Sequence, residues 1–295
     1  MKRLFALGCS FTNYAWPTWA DILGLEFNKY ENWAYPGLGN RAIAERVANL
    51  HALETLTPQD TIIVQWTSHL RHDWHATDTR HNTYKGVGWK TSGSIFNFIN
   101  EQLFDEKWVK TFFDEKSYMM HTLNNILLTQ QFLEGLGVNY YMTSMGYVNK
   151  MNSDYPTEEH NKWHGESAPE IDIWKNIPSF LPYKEKIFND RWLEPVGCFA
   201  WNHEDGPHKF ITKNLGSPWS GTKTVDRHPT INQHNDYVNN VIKPKLKLSQ
   251  NTNEQAKIWI DKVNMCYENC HGDFDFFVEN INKQLSGWGN YYKGF

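Results

Sequence analysis

Ser10, Asp226 and His228 are the residues of this 295-residue chain whose types fit one another as a chemical set. A serine hydroxyl is a weak nucleophile until a histidine takes its proton. A carboxylate can hold that histidine in the right tautomer and support its positive charge. The serine closes the run Leu4-Phe5-Ala6-Leu7-Gly8-Cys9-Ser10. An apolar stretch that meets a glycine and stops at a hydroxyl predicts a buried first strand with a tight turn at its C-terminal edge. In open α/β sheets, ligands bind at that edge. A serine after a strand also serves as a helix N-cap, which is the plainer reading of Ser10. The other two residues come more than 200 positions later, in Val225-Asp226-Arg227-His228-Pro229. Their close spacing leaves three arrangements open. An irregular turn brings both side chains together, His228 acts alone, or another carboxylate orients it.

Strand and helix patterns alternate through the first half, as positioning such residues requires. Leu4–Leu7 is followed by a short helix over Trp16–Leu25, with Pro17 expected in its first turn. Asn32-Trp33-Ala34-Tyr35 runs into Pro36-Gly37-Leu38-Gly39-Asn40, a turn by composition. Helical periodicity resumes over Ala42–Leu53, with Asn40 placed to cap it. Thr61–Trp66 is a β-branched buried strand, Met119–Leu136 a long helix, and Val138–Met142 the next strand. This rhythm predicts an α/β fold, a three-layer α/β/α arrangement around a mostly parallel sheet of about five strands. Residues 69–115 and 146–224 break the rhythm and read as folded insertions beside the sheet's active edge. Helices are expected over Ile231–Ile242, Glu254–Tyr267 and Phe274–Leu285. The organisation expected is one domain over 1–248 carrying both insertions, with 249–295 as a helical appendage.

Four blocks of this chain together resemble the SGNH (GDSL-like) hydrolase superfamily. Gly8-Cys9-Ser10-Phe11-Thr12 is similar to the first block, with Cys9 where an aspartate often sits, and Trp19 and Leu23 follow suitably. Asn32 to Gly37, continuing to Asn40, resembles the second block. Val64-Gln65-Trp66-Thr67-Ser68 lies where the third belongs, and Asp226-Arg227-His228-Pro229, with His234 beyond, resembles the last. The resemblance covers residues 1 to about 145 and 224 to 245. It departs in two places: Ser68 stands where the third block carries asparagine, and Asp226 and His228 are one residue closer than usual. It implies the SGNH/flavodoxin-like fold and a Ser10–His228–Asp226 triad. It also implies an oxyanion hole built from the Ser10 and Gly37 backbone N–H groups with Ser68 or Asn40. No cofactor is implied.

Composition excludes several classes. Lys and Arg number 29 against 33 Asp and Glu, for a net charge of −4, so nucleic acid has no electrostatic footprint here. No apolar run reaches the ~18 residues of a membrane span, and the N-terminal run is too short for a signal-peptide core. A cytoplasmic protein or a component of a virus particle is expected. The four cysteines, Cys9, Cys198, Cys266 and Cys270, are too few for a disulfide scaffold and are read as thiols. His69, His72, His75 and His81 suggest a metal, but lack an acidic or cysteine partner at a familiar interval; no metal is assigned. The 14 Trp and 14 Tyr either pack the insertions or line a groove for sugar rings.

The function expected is cleavage of a short acyl ester, such as an O-acetyl group on a glycan, through an acyl-enzyme on Ser10. A transferase variant of the same chemistry is included. The partners are a small-molecule or glycan ester, with room for an oligomer or assembly. The alternative is an inactive SGNH-fold binding or structural protein in a larger assembly. An enzyme requires Ser10 within hydrogen-bond reach of His228; a scaffold does not.

Overall fold

The computed structural model describes residues 2–75, 89–91, 106–152, 170–211, 221 and 223–289. Its centre is a parallel four-stranded sheet: β1 (Arg3–Leu7), β2 (Lys29–Asn32), β3 (Thr61–Trp66) and β4 (Asn139–Ser144). The spatial order is β2-β1-β3-β4. Leu4 pairs with Thr61 and Leu7 with Val64, while Thr61 pairs with Asn139 and Trp66 with Ser144. A fifth position exists only as a single parallel bridge from Met142 to Trp192. Met142 N–H donates to the Arg191 carbonyl at 3.0 Å, and its own carbonyl accepts from Leu193 at 2.8 Å. The α/β fold expected from the sequence is therefore present, with a stub in place of a fifth strand.

Side-chain alternation explains the three layers. Phe5, Leu7, Ile62, Val64 and Trp66 face one side and pack on α2 (Asn40–Glu54) and α3 (Glu115–Gly135) through Val47, Leu50, Leu123 and Ile126. Leu4, Ala6 and Ile63 face the other side. There they meet α1 (Trp19–Gly24) and the helices that close the chain. Those are α5 (Ile231–Tyr237), α6 (Glu254–Asn269) and α7 (Phe274–Gln284). Trp259, Val263, Phe277 and Ile281 of α6 and α7 belong to the same buried cluster as β1. A shorter helix, α4 (Val196–Trp201), precedes α5 in the chain and packs against it. Trp16, Trp19, Trp33, Trp66 and Trp259 are fully buried, so these five tryptophans are core and not groove lining.

The sequence reading differs from the structure at several boundaries, each for a local reason. Helix α1 starts at Trp19 because Thr18 is its N-cap, with Asp21 completing a capping box; Pro17 therefore lies before the helix. Asn40 does not cap α2. Gly39 is the N-cap, and the Asp73 carboxylate accepts from Gly39 N–H at 2.9 Å and Ala42 N–H at 3.3 Å instead. Strand β2 was not expected, because Lys-Tyr-Glu-Asn at a sheet edge carries no apolar run. Beyond α5, the helix expected to Ile242 widens into a π turn over Val238–Ile242. The insertions expected at 69–115 and 146–224 fall partly outside the described residues.

Candidate active site

Order β2-β1-β3 means that the chain leaves β1 to one side and returns to the other. The C-terminal ends of β1 and β3 then form the crevice where ligands bind in such sheets. Ser10 sits in that crevice. Gly8 permits the turn: a Cβ there would collide with Thr12 Oγ1 and lie 2.9 Å from Gln65 Oε1. The Cys9 carbonyl accepts from Thr12 N–H at 2.9 Å and Asn13 N–H at 3.0 Å, which closes one helical turn around the serine. Thr12 Oγ1 donates to Gln65 Oε1 at 2.9 Å, and Asn32 Nδ2 donates to the Thr12 carbonyl at 2.7 Å. These buried bonds tie the turn to β2 and β3.

Ser10, His228 and Asp226 form one hydrogen-bonded chain. Ser10 Oγ lies 2.8 Å from His228 Nε2, and His228 Nδ1 lies 2.6 Å from Asp226 Oδ1. A carboxylate can only accept, so Nδ1 carries the hydrogen and Nε2 is left to accept from the serine. The close spacing of Asp226 and His228 works because Asp226 Oδ1 also accepts from the His228 backbone N–H at 2.9 Å, an Asx turn. The turn bends the histidine back over its own aspartate. Trp16 Nε1 donates to the Pro229 carbonyl at 3.0 Å, and Thr230 caps α5 with a capping box. Ser10 is thus engaged by a histidine, not used as a helix cap.

Tyr14 completes this arrangement, and nothing in the sequence reading singled it out. Its hydroxyl donates to Asp226 Oδ2 at 2.7 Å, and its ring stacks on His228 with centroids 3.7 Å apart and planes 19° apart. Phe11 flanks the same imidazole at 5.2 Å. Burial, followed by the Asp226 charge, raises the Tyr14 phenol well above its ordinary range, so it stays a donor. Burial pushes the Asp226 carboxyl upward, but hydrogen bonds from His228 and Tyr14 outweigh this and hold it below its ordinary value. Two neighbouring histidines stay neutral. Burial lowers His208 to about 4 against an upward pull from Asp226. Burial, then the charge of His228, lowers His234 to about 3.

The remaining sequence candidates sit around this chain in different ways. Gly37 occupies the turn after β2 with φ of 85°, in the left-handed region that favours glycine. Asn40 clamps the end of β3: its Oδ1 accepts from Thr67 N–H at 2.8 Å. Its Nδ2 donates to the Thr67 carbonyl at 3.0 Å and to Thr122 Oγ1 at 3.1 Å. Ser68 Oγ accepts from Leu70 N–H at 3.1 Å, which leaves its own hydrogen available to donate. A cavity of ≈ 460 Å³ opens beside this hydrogen-bonded chain, lined by Ser68, Met119, Met145, Lys150, Cys198 and Trp201 among others. Ser10, Asp226 and His228 do not line it. They adjoin it: Trp201 Nε1 approaches the Arg227 carbonyl at 3.5 Å, and Phe11 packs against Gly197, next to Cys198.

The histidines considered for a metal have other partners. His69 Nε2 pairs with the buried Glu115 at 2.8 Å, and His72 Nδ1 meets the Tyr118 hydroxyl at 2.9 Å. His81 and the side chain of His75 lie outside the described residues. Among the described residues no group of three or more His, Cys, Asp or Glu could hold a metal ion, and no helix is long and apolar enough to cross a membrane. All four cysteines are buried free thiols.

The chain is similar to a crystal structure described as a member of the lipolytic protein G-D-S-L family from Veillonella parvula. The alignment has 10% sequence identity and a TM-score of 0.36, over 79% of this chain and 92% of that chain. No protein-family model and no curated protein matches.

Proposed function

We propose that the protein is a serine hydrolase that cleaves esters through an acyl-enzyme on Ser10. The observation that carries this reading is the unbroken chain from Ser10 Oγ through His228 to Asp226, at 2.8 and 2.6 Å. Ser10 Oγ attacks the ester carbonyl as His228 Nε2 takes its proton. The tetrahedral intermediate collapses, the carbon–oxygen bond to the alcohol breaks, and His228 returns the proton to the departing alcohol. Water repeats the sequence on the acyl-enzyme, releasing the acid and restoring the serine. Asp226 holds the imidazole and stabilises its cationic form. The negative charge that develops on the carbonyl oxygen is received by the backbone N–H of Ser10 and of Gly37, with the Ser68 hydroxyl as third donor. Asn40, whose amide is engaged with Thr67 and Thr122, positions the strand end that carries Ser68.

The test is covalent labelling with a fluorophosphonate, read by intact mass on the full chain. Wild type is expected to take a single adduct, and Ser10→Ala and His228→Ala none. Folded wild-type protein that takes no adduct would sink the reading and leave a binding or structural role for this fold.

A further inference from the structure

The cavity beside the triad is charged on one side only. Lys150 lines it, and no aspartate or glutamate does so among the described residues. A second cation, Arg71, lines the neighbouring cavity with Arg41, Glu45 and Asp73, and meets the wall of this one at its margin. Arg71 Nη1 donates to the Leu38 carbonyl at 2.9 Å, and Nη2 approaches Met145 Sδ, on the cavity wall, at 4.0 Å. Leu38 follows Gly37 after β2, and Met145 follows β4. Between those two strands in the sheet lie β1, which leads to Ser10, and β3. The guanidinium therefore lies across the edge at which Ser10 is presented.

Neither Arg71 nor Lys150 has an ion-pair partner among the described residues. Of the acids nearby, Asp73 accepts from the Gly39 and Ala42 N–H groups, Glu45 is paired with Arg41, Glu115 is paired with His69 at 2.8 Å, and the exposed Glu194 makes its charge felt at Tyr147. A guanidinium carries five N–H donors in a planar fork; here a carbonyl takes one and a thioether is a weak acceptor. A half-buried cation without a counter-ion is costly, and an anion with two oxygens satisfies it best. Lys150 on this cavity and Arg71 at its margin place positive charge beside Ser10 in a chain whose net charge is −4.

We propose that the substrate is an anionic ester, whose carboxylate-type group is engaged by Arg71 and Lys150 while its ester carbonyl meets Ser10. This deepens the hydrolase reading and rests on it. The charged group takes no part in the bonds made or broken; it selects and orients.

Two pairs of esters test it on the full-length protein. In 4-nitrophenyl hemisuccinate against 4-nitrophenyl butyrate the charge lies on the acyl side. In 4-acetoxybenzoate against 4-acetoxybenzamide it lies on the alcohol side. One pair is expected to favour its charged member in kcat/KM by ~10-fold or more, as charge-assisted hydrogen bonds allow. Arg71→Gln and Lys150→Gln should each move that ratio towards one. No preference in either pair, in protein that hydrolyses the neutral esters, overturns the anionic substrate and leaves the hydrolase intact. If no ester turns over, calorimetric titration of the same four compounds into Ser10→Ala protein reads the cations alone. Tighter binding of a charged member, reduced in Arg71→Gln, supports the site, and equal binding of both members of both pairs overturns it.

Discussion

The exits of β1 and β3 are neighbours in the sheet and are built differently. After β1, the side chains are joined into a closed network: Thr12 to Gln65, Ser10 to His228, His228 to Asp226, Asp226 to Tyr14. After β3, Asn40 clamps the Thr67 peptide, and beyond it come the Ser68 hydroxyl and the Arg71 fork, with Lys150 on the cavity wall from the segment after β4. Bond-making groups must be held to within fractions of an ångström, because misplacement by one ångström costs orders of magnitude in rate. Groups that select a substrate need unmet hydrogen-bonding capacity instead. Under the proposed hydrolase reading, the contrast suits chemistry at the β1 exit and selectivity at the exits of β3 and β4.

Asp226→Asn breaks the β1 side hardest. The amide oxygen can still accept from the His228 backbone N–H while its NH2 donates to the Tyr14 oxygen, so the fold should persist. It no longer forces the hydrogen onto Nδ1, nor does it balance the imidazolium. An ester kcat/KM lower by about 10³–10⁴-fold is expected, with an unchanged circular dichroism spectrum. A loss of less than tenfold would mean that Asp226 is a turn former only.

Asn40→Ala attacks the join between the two exits. It strips the Thr67 N–H and carbonyl of their partners in a buried setting. Each orphaned group costs about 1–3 kcal/mol, so urea unfolding should register a loss of several kcal/mol. The rate should fall by only about tenfold, because Ser10 and His228 keep their own supports. Unchanged stability would show that the clamp is dispensable.

These asymmetries also explain what the sequence disclosed. Ser10 was legible because a strand, a glycine and a hydroxyl follow one another locally, and the Asp226–His228 pair because its members are two positions apart in the chain. Whether that spacing lets them meet depended on a backbone hydrogen bond that no spacing rule displays. Strand β2 was hidden because an edge strand need not be apolar. Tyr14 and Arg71 were hidden for another reason. Tyr14 meets a partner 212 positions away, and Arg71 meets a carbonyl 33 positions away, and neither contact leaves a periodic trace.

Tyr14→Phe is the finest cut, since it keeps the ring stacked on His228 and removes one donor from Asp226. The Asp226 carboxyl lies below its ordinary range because hydrogen bonds from His228 and Tyr14 outweigh burial. A carboxyl depressed in the folded state stabilises the protein above its unfolded pKa, and that stabilisation is lost as pH falls through the folded value. Removing the tyrosine hydroxyl shrinks this contribution. Wild type and variant should therefore differ by about 1–2 kcal/mol in urea unfolding at pH 7, and the gap should close at acid pH once Asp226 is protonated in both. Ester turnover should fall by no more than about tenfold, because the stack and the His228 bond remain. A gap of the same size at both pH values would mean that the hydroxyl stabilises the fold without regard to the Asp226 charge. The coupling of Tyr14 to the triad would then be one of packing alone, and the contrast between the two exits would rest on His228 and Asp226.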